Sequence, residues 1–349
     1  MTAMCDWIIG KRKESMQLVD GKKPATWGLI KFSPYCDFQT PCFDYFGDAY
    51  CAAGMETAAA AFKAAGLDAE AERIAKETAL YRADILASMD AATIERGGMR
   101  ILPMEPETLR LLKDSRWRGG GYYGLIASCM LESGLLAPED PRALTVMDFI
   151  RKKGGLILGM SEFAGGIDHA YTYGYWMNCL RRGLAEPVIL GFYGSLAYGM
   201  SRETFAGVEV TRLKTGDNEA TLPHLYSCTQ QLRLLRGMLL REEGSDLVIG
   251  GAIPRPWLGD GKTIEVERAP TFFGPLAFRL RSEIAAGRIV ARIECPAARP
   301  ARSIFLRLRP PGSPAIRGID VQGEARGSFS GDTVRLDAPR GVVEITVRY

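Results

Sequence analysis

The sequence predicts an α-plus-β protein with its two classes in separate domains, antiparallel helical hairpins over residues 1–244 and an antiparallel β-sandwich over residues 245–349. Three observations predict it. Apolar residues recur at helical spacing as far as Gly244, they alternate with polar residues beyond it, and the links between helical stretches are short and long by turns. At 349 residues the chain exceeds one ordinary core, and 47% hydrophobic against 24% charged residues is the balance of a chain that folds throughout.

Met1 to Leu18 reads as a first helix. Asp48 is placed to cap a second that runs to Gly66, and Asp68 a third, in which Ile74, Tyr81, Ile85 and Met89 share a face before Gly97 and Gly98 stop it. Tyr122 to Leu135 comes next. Asp140, with Pro141 at the first helical position, opens a helix that ends at Gly154 and Gly155. Tyr171 to Arg182 and Pro187 to Arg202 make another pair. Thr221 caps a last helix in which Leu225, Cys228, Leu232, Leu235 and Leu239 keep helical spacing up to Gly244.

Links within the pairs are short (Gly66 to Asp68, Leu136 to Asp140, Gly183 to Glu186), as antiparallel hairpins require. Links between pairs are long: Val19 to Gly47, Gly97 to Gly121, Gly155 to Ala170 and Phe205 to Ala220. In a stack or ring of hairpins the long links gather on one rim, and binding and chemistry are expected there.

Beyond Gly244 the period falls to two, in Ile264/Val266, Phe278/Leu280, Ile289/Ala291/Ile293, Leu306/Leu308, Val334/Leu336 and Val343/Ile345/Val347. Ala285-Ala286-Gly287 reads as a hairpin turn between two of these strands.

A net charge of +3 does not mark a nucleic-acid partner, and arginines alternating with apolar residues, as in Phe278-Arg279-Leu280-Arg281, read as a solvated strand face. The eight cysteines are scattered, with no C-x-x-C pair and no histidine at zinc-ligand spacing, so neither a metal site nor a cofactor is expected. Cys36, Cys42 and Cys51 lie close enough in sequence to pair, but free buried thiols are the expected state. Met1 to Lys13 has no apolar core ahead of a cleavage site, and no apolar run approaches the ~20 residues of a membrane helix. A cytoplasmic chain with no membrane partner is expected.

Four stretches carry a family resemblance: Gly47-Asp48-Ala49-Tyr50 with its Ala-rich continuation; Gly166-Ile167-Asp168-His169-Ala170-Tyr171-Thr172-Tyr173-Gly174-Tyr175-Trp176; Thr215-Gly216-Asp217-Asn218-Glu219 leading into Pro223-His224-Leu225-Tyr226; and Gly251 to Leu258 with Ala269 to Gly274. Over nearly its whole length the chain resembles the C-terminal part of the six-hairpin (α/α)6-barrel glycosidase-like superfamily, a helical toroid leading into a β-sandwich. The resemblance implies an α/α toroid, a carbohydrate substrate and a hydrolase that mostly inverts. Fewer helices are read here than a closed six-hairpin ring holds, with one unpaired at each end. The resemblance therefore implies that the family's N-terminal hairpins are missing from this chain.

Glycoside hydrolysis needs one carboxylic acid to protonate the leaving oxygen and one carboxylate to activate water or attack, so acids in the long links are the candidates. The resemblance implies a general base near Glu219, with Asp217 its neighbour. Asp168 precedes four aromatics, a composition suited to a sugar ring held on its apolar face, and an N-cap is its plain alternative. Glu162 shares that link. Asp37 and Asp44 lie with Trp27, Tyr35 and Phe43 in the first long link, where either acid could protonate a leaving group or bind a hydroxyl. His169 and His224, the only histidines, both fall beside these acids and are candidate substrate contacts. Tyr171, Tyr173, Tyr175 and Trp176 point in several directions from one helix start, so about two of them can face a sugar. Arg116 and Arg118 around Trp117 could read an acidic sugar or belong to a solvated loop. Two other readings stay open: a polysaccharide lyase with His169 or Tyr171 as base, and a carbohydrate-binding homologue without catalysis.

Overall fold

A computed structural model describes residues 1–33, 37–114, 116–201, 204–219 and 222–349, apart from the side chains of Asp114 and Glu219. The chain divides into two compact units: Met1–Arg182 with Gly194–Gln230, and Gly183–Tyr193 with Gln231–Tyr349. The protein is mixed helix and sheet.

The first unit opens with α1 (Thr2–Glu14), the strand pair β1 (Lys31–Phe32) and β2 (Cys42–Phe43), and the helical hairpin α2 (Tyr45–Ala64) and α3 (Asp68–Ala92). Ala49, Ala52, Met55, Ala59 and Phe62 of α2 are buried, as are Ile74, Tyr81, Ile85 and Met89 of α3, which is the helical spacing read from the sequence. Two capping expectations are corrected. Asp44, not Asp48, caps α2, accepting from the Gly47 amide at 2.6 Å, while Asp48 sits in the first turn, buried under Tyr81. Asp68 is itself the first residue of α3, with Leu67 at the cap position.

Gly97 and Gly98 do not stop α3 either. They are the left-handed two-residue turn joining β3 (Ile94–Arg96) to β4 (Met99–Ile101), a conformation that favours glycine. Next come α4 (Arg110–Asp114), α5 (Gly121–Glu132) and α6 (Pro141–Lys152). Asp140 caps α6 as its sequence requires, its carboxylate accepting from the Arg142 amide with Pro141 at the first helical position. Every residue from Tyr123 to Leu131 is buried, so α5 is enclosed on all sides.

The links read as long loops at 155–170 and 205–220 pair with each other. They build an antiparallel five-stranded sheet in the order β5 (Leu156–Ile157), β6 (Met160–Phe163), β7 (Gly166–Asp168), β8 (Val210–Arg212) and β9 (Asn218–Glu219); α7 (Tyr173–Arg181) and α8 (Ala185–Tyr198) come between β7 and β8 along the chain. Asp168 pairs with Val210 and Val210 with Glu219, so the three residues stand abreast on neighbouring strands. Helix α7 lies so close to α5 that a Cβ on Gly174 would meet the Ser128 carbonyl oxygen at 1.9 Å, and only glycine fits.

Helix α9 (Leu225–Leu239) gives way at once to β10 (Leu240–Glu243), so the change of period falls at Leu240, before the expected boundary residue. Gly244, with a left-handed backbone, begins the two-residue turn to β11 (Asp246–Ile249) rather than ending the helix. The remaining strands are β12 (Thr263–Ala269), β13 (Leu276–Glu283), β14 (Arg288–Glu294), β15 (Ser303–Arg307), β16 (Gly318–Ser330) and β17 (Thr333–Arg348).

Strands β10 to β17 form one continuous, curled hydrogen-bonded sheet. Strand β17 is long enough to pair with β15 through residues 333–337, with β14 through 342–348, and with β16 along its whole length. It turns between its first two partners at Ala338 and Gly341, both of positive φ. The turn at Ala285-Ala286-Gly287 joins β13 to β14 as its sequence indicates. Phe278, Leu280, Ile289, Ala291, Ile293, Val343 and Ile345 alternate inward to make this unit's core. Strands β10, β11 and β16 are not legible from the period of two alone.

Candidate active site

Within the first unit, four segments remote in sequence line one cleft of about 390 Å³: Asp37, Phe46, Tyr122 with Leu125 and Ile126, and the five-stranded sheet with Phe163, Asp168, Tyr171 and Glu209. The sheet explains the convergence. Pairing β7 to β8 brings Asp168 and Glu209 together, and the His169 amide donates to the Glu209 carbonyl at 2.9 Å. Tyr122 on the first turn of α5 donates its hydroxyl to Asp37 at 2.7 Å and stacks edge-on against Phe163.

Asp168 is 1% exposed and accepts from the Ala170 and Tyr171 amides at 2.9 and 2.8 Å, ahead of the α7 start at Tyr173. Burial pushes its carboxyl up to about 7; the two amides pull it down, and the nearby Glu209 charge pushes it further up. A carboxyl with that value is partly protonated at neutral pH, and its protonated form can donate.

The fold brings Asp37, Asp168 and Tyr171 to the cleft, with His224 at its edge. His224 Nε2 is 3.9 Å from the Glu209 carboxylate, and the Tyr226 ring lies 5.3 Å from that of Tyr171. The Ser227 amide donates to His224 Nδ1 at 3.3 Å, so Nε2 is the ring nitrogen that faces Glu209.

Several expected contacts lie elsewhere. His169 is buried: Thr211 donates its hydroxyl to the Tyr198 carbonyl, so His169 Nε2 donates to Thr211 Oγ at 3.0 Å. Its Nδ1 packs where a Cβ on Gly199 would come within 2.5 Å, and burial lowers the ring to about 4. It is a neutral histidine that ties β7 to β8. Trp176 is buried with its indole N–H on the Gly159 carbonyl, and Tyr173 is buried in the same helix. Trp27 lies in a separate small cleft with Lys23 and Asp84. Asp44 is spent on capping α2, and Glu162 closes the β6–β7 turn by accepting from the Gly165 amide at 3.0 Å. Asp217 is exposed in the β8–β9 turn, where its carbonyl accepts from Arg212. Glu219 ends β9; its side chain, and Tyr35 as a whole, lie outside the described residues.

Glu209 and Tyr122 escape a reading of the sequence. Glu209 carries a signal, since it stands between two buried valines, Val208 and Val210, an alternation that turns it away from the core. Tyr122 carries none beyond its place at a helix start.

No protein-family model matches the sequence, and no curated protein matches it. Its structural neighbours are glycoside hydrolases. One is an alpha-L-rhamnosidase from Dictyoglumus thermophilum, at 8% identity and a TM-score of 0.44, covering 86% of this chain and 32% of that one. Another is a GH127 beta-L-arabinofuranosidase from Geobacillus stearothermophilus, at 14% identity and a TM-score of 0.35, covering 86% of this chain and 62% of that one. The chain thus spans about a third of the first enzyme and less than two thirds of the second. Among the described residues no group of three or more His, Cys, Asp or Glu could hold a metal ion, and no helix is long and apolar enough to cross a membrane. The described cysteines are free thiols.

Of the two residues named as bases for elimination, His169 is enclosed by Thr211 and Gly199, and burial, with Asp168 and Glu209 adding to it, pushes the Tyr171 phenol up.

Proposed function

We propose that this chain carries the acid–base cleft of a glycoside hydrolase acting on oligo- or polysaccharide, with inversion. The observation that supports it is a buried carboxyl, Asp168, pushed up to about 7 and sharing an aromatic-walled cleft with Glu209 and Asp37. Asp168 protonates the departing glycosidic oxygen. Glu209, with His224 Nε2 beside it, activates the water, and Asp37, held through one oxygen by Tyr122, accepts sugar hydroxyls. Tyr171 and Phe163 give the ring an apolar face.

Glu219 is the rival base. It stands two strands from Asp168 in the same register, a backbone separation of roughly 9–10 Å from the spacing of neighbouring strands. On this reading the helical hairpins of residues 1–244 are part of an α/α toroid and residues 245–349 a sandwich domain. A panel of nitrophenyl glycosides tests it: the wild type releases nitrophenol with inverted sugar, and D168N and E209Q do not. Full activity in E209Q with loss in E219Q would move the base to Glu219. Release by D168N at the wild-type rate would end the reading.

A further inference from the structure

The charge of the cleft points to the class of sugar it takes, an inference that rests on the hydrolase reading above. Three carboxyls, Asp37, Asp168 and Glu209, line it, and among the described residues no lysine or arginine does. The rest of the lining is aromatic, aliphatic or thiol. Arg116 and Arg118, which the sequence offers for an acidic sugar, are not part of it. Arg110 is committed elsewhere, to the buried Glu105 and the Phe38 ring. The imidazole at the edge, His224, already faces Glu209.

We infer that the sugar ring seated beside Asp168 bears no acidic group, so that neutral and amino sugars are accepted while uronates and sulfated sugars are refused. Proteins that select a sugar carboxylate or sulfate supply a guanidinium or ammonium to it. Here an anionic substituent would meet the charges of Asp37 and Glu209 across the same cleft, and like charges at that range repel. The same absence bears on elimination, because removing the proton next to a uronate carboxylate requires that carboxylate to be neutralised, and the cleft offers no described cation for it.

The test compares nitrophenyl glycosides of one ring and one anomeric configuration that differ in charge alone: the neutral hexoside, its 2-amino-2-deoxy analogue and its uronide, in the gluco, galacto and manno series. For any ring that is hydrolysed, kcat/KM for the uronide falls at least about a hundredfold below its neutral partner, and the amino sugar stays within about tenfold. A uronide hydrolysed as fast as its neutral partner overturns the inference. Asp37→Asn removes one charge from the rim and narrows the neutral-to-uronide gap by about tenfold; an unchanged gap means charge is not its source and also overturns it. If no glycoside is hydrolysed, saturation-transfer NMR with neutral and uronate oligosaccharides decides. Binding of neutral sugars alone keeps the inference and sinks the hydrolase reading, whereas equal or tighter binding of uronates, or no binding of either, ends the inference.

Discussion

Two helix openings in the first unit carry buried acids, and they differ in one respect. Asp44 before α2 and Asp168 before α7 both accept backbone amides and are both pushed by burial up to about 7. Asp44 is enclosed, and Asp48 one turn on is shut in by the Tyr81 hydroxyl, the Ile30 amide and, over the Tyr81 ring at 4.2 Å, the Arg12 guanidinium. Asp168 instead borders a cleft with two further carboxylates. A shifted carboxyl therefore does not identify chemistry by itself.

Breaking that contrast starts with D168N, which should lower turnover about a thousandfold while the melting temperature barely moves, since the amide oxygen still accepts from Ala170 and Tyr171. D44N, assayed beside it, should leave turnover intact; a matched loss in both variants would mean that the enclosed acid takes part. On the enclosed side Arg12→Ala strips the partner from Asp84 at 2.7 Å and from the Gly28 carbonyl, and should cost about 3–5 kcal/mol in urea unfolding with activity per folded molecule unchanged. Gly174→Ala forces a methyl into the Ser128 carbonyl and should cost about 1–3 kcal/mol, lowering activity as well because α7 comes directly after Asp168.

The smallest effect is the pH dependence. A carboxyl whose folded value is raised stabilises the fold fully below its ordinary range and loses that contribution as pH rises through about 7, so urea midpoints should fall between pH 5 and 8. D44N should flatten that slope. Over the same interval kcat/KM should decline as Asp168 loses the proton that the proposed mechanism has it donate.

Legibility tracks locality. Asp140-Pro141 can be read as a helix start because cap and proline act on the adjacent amides, and the β13–β14 turn can be read because Ala285-Ala286-Gly287 closes on itself. Gly97-Gly98 and Gly244 read as helix ends because a left-handed glycine serves a C-cap and a hairpin turn equally well, and only the pairing of the flanking strands separates the two. Asp44 and Asp48 are both helix-opening acids in sequence; which of them caps depends on where the chain bends. His169 stands out in the sequence, but its burial does not, since that comes from Gly199 and Thr211, thirty and more residues away.

By itself the sequence determined the succession of the longer helices, their apolar faces, the alternation of strands β12 to β15 and β17, and that acids and aromatics crowd the long links, because these are effects of neighbours along the chain. Only the tertiary structure decided that two of those links pair as one sheet, that Glu209 joins Asp37 and Asp168 at a cleft, and that His169 and Trp176 turn inward. Such choices are made by hydrogen bonds and packing between residues far apart in sequence, and no local pattern encodes them.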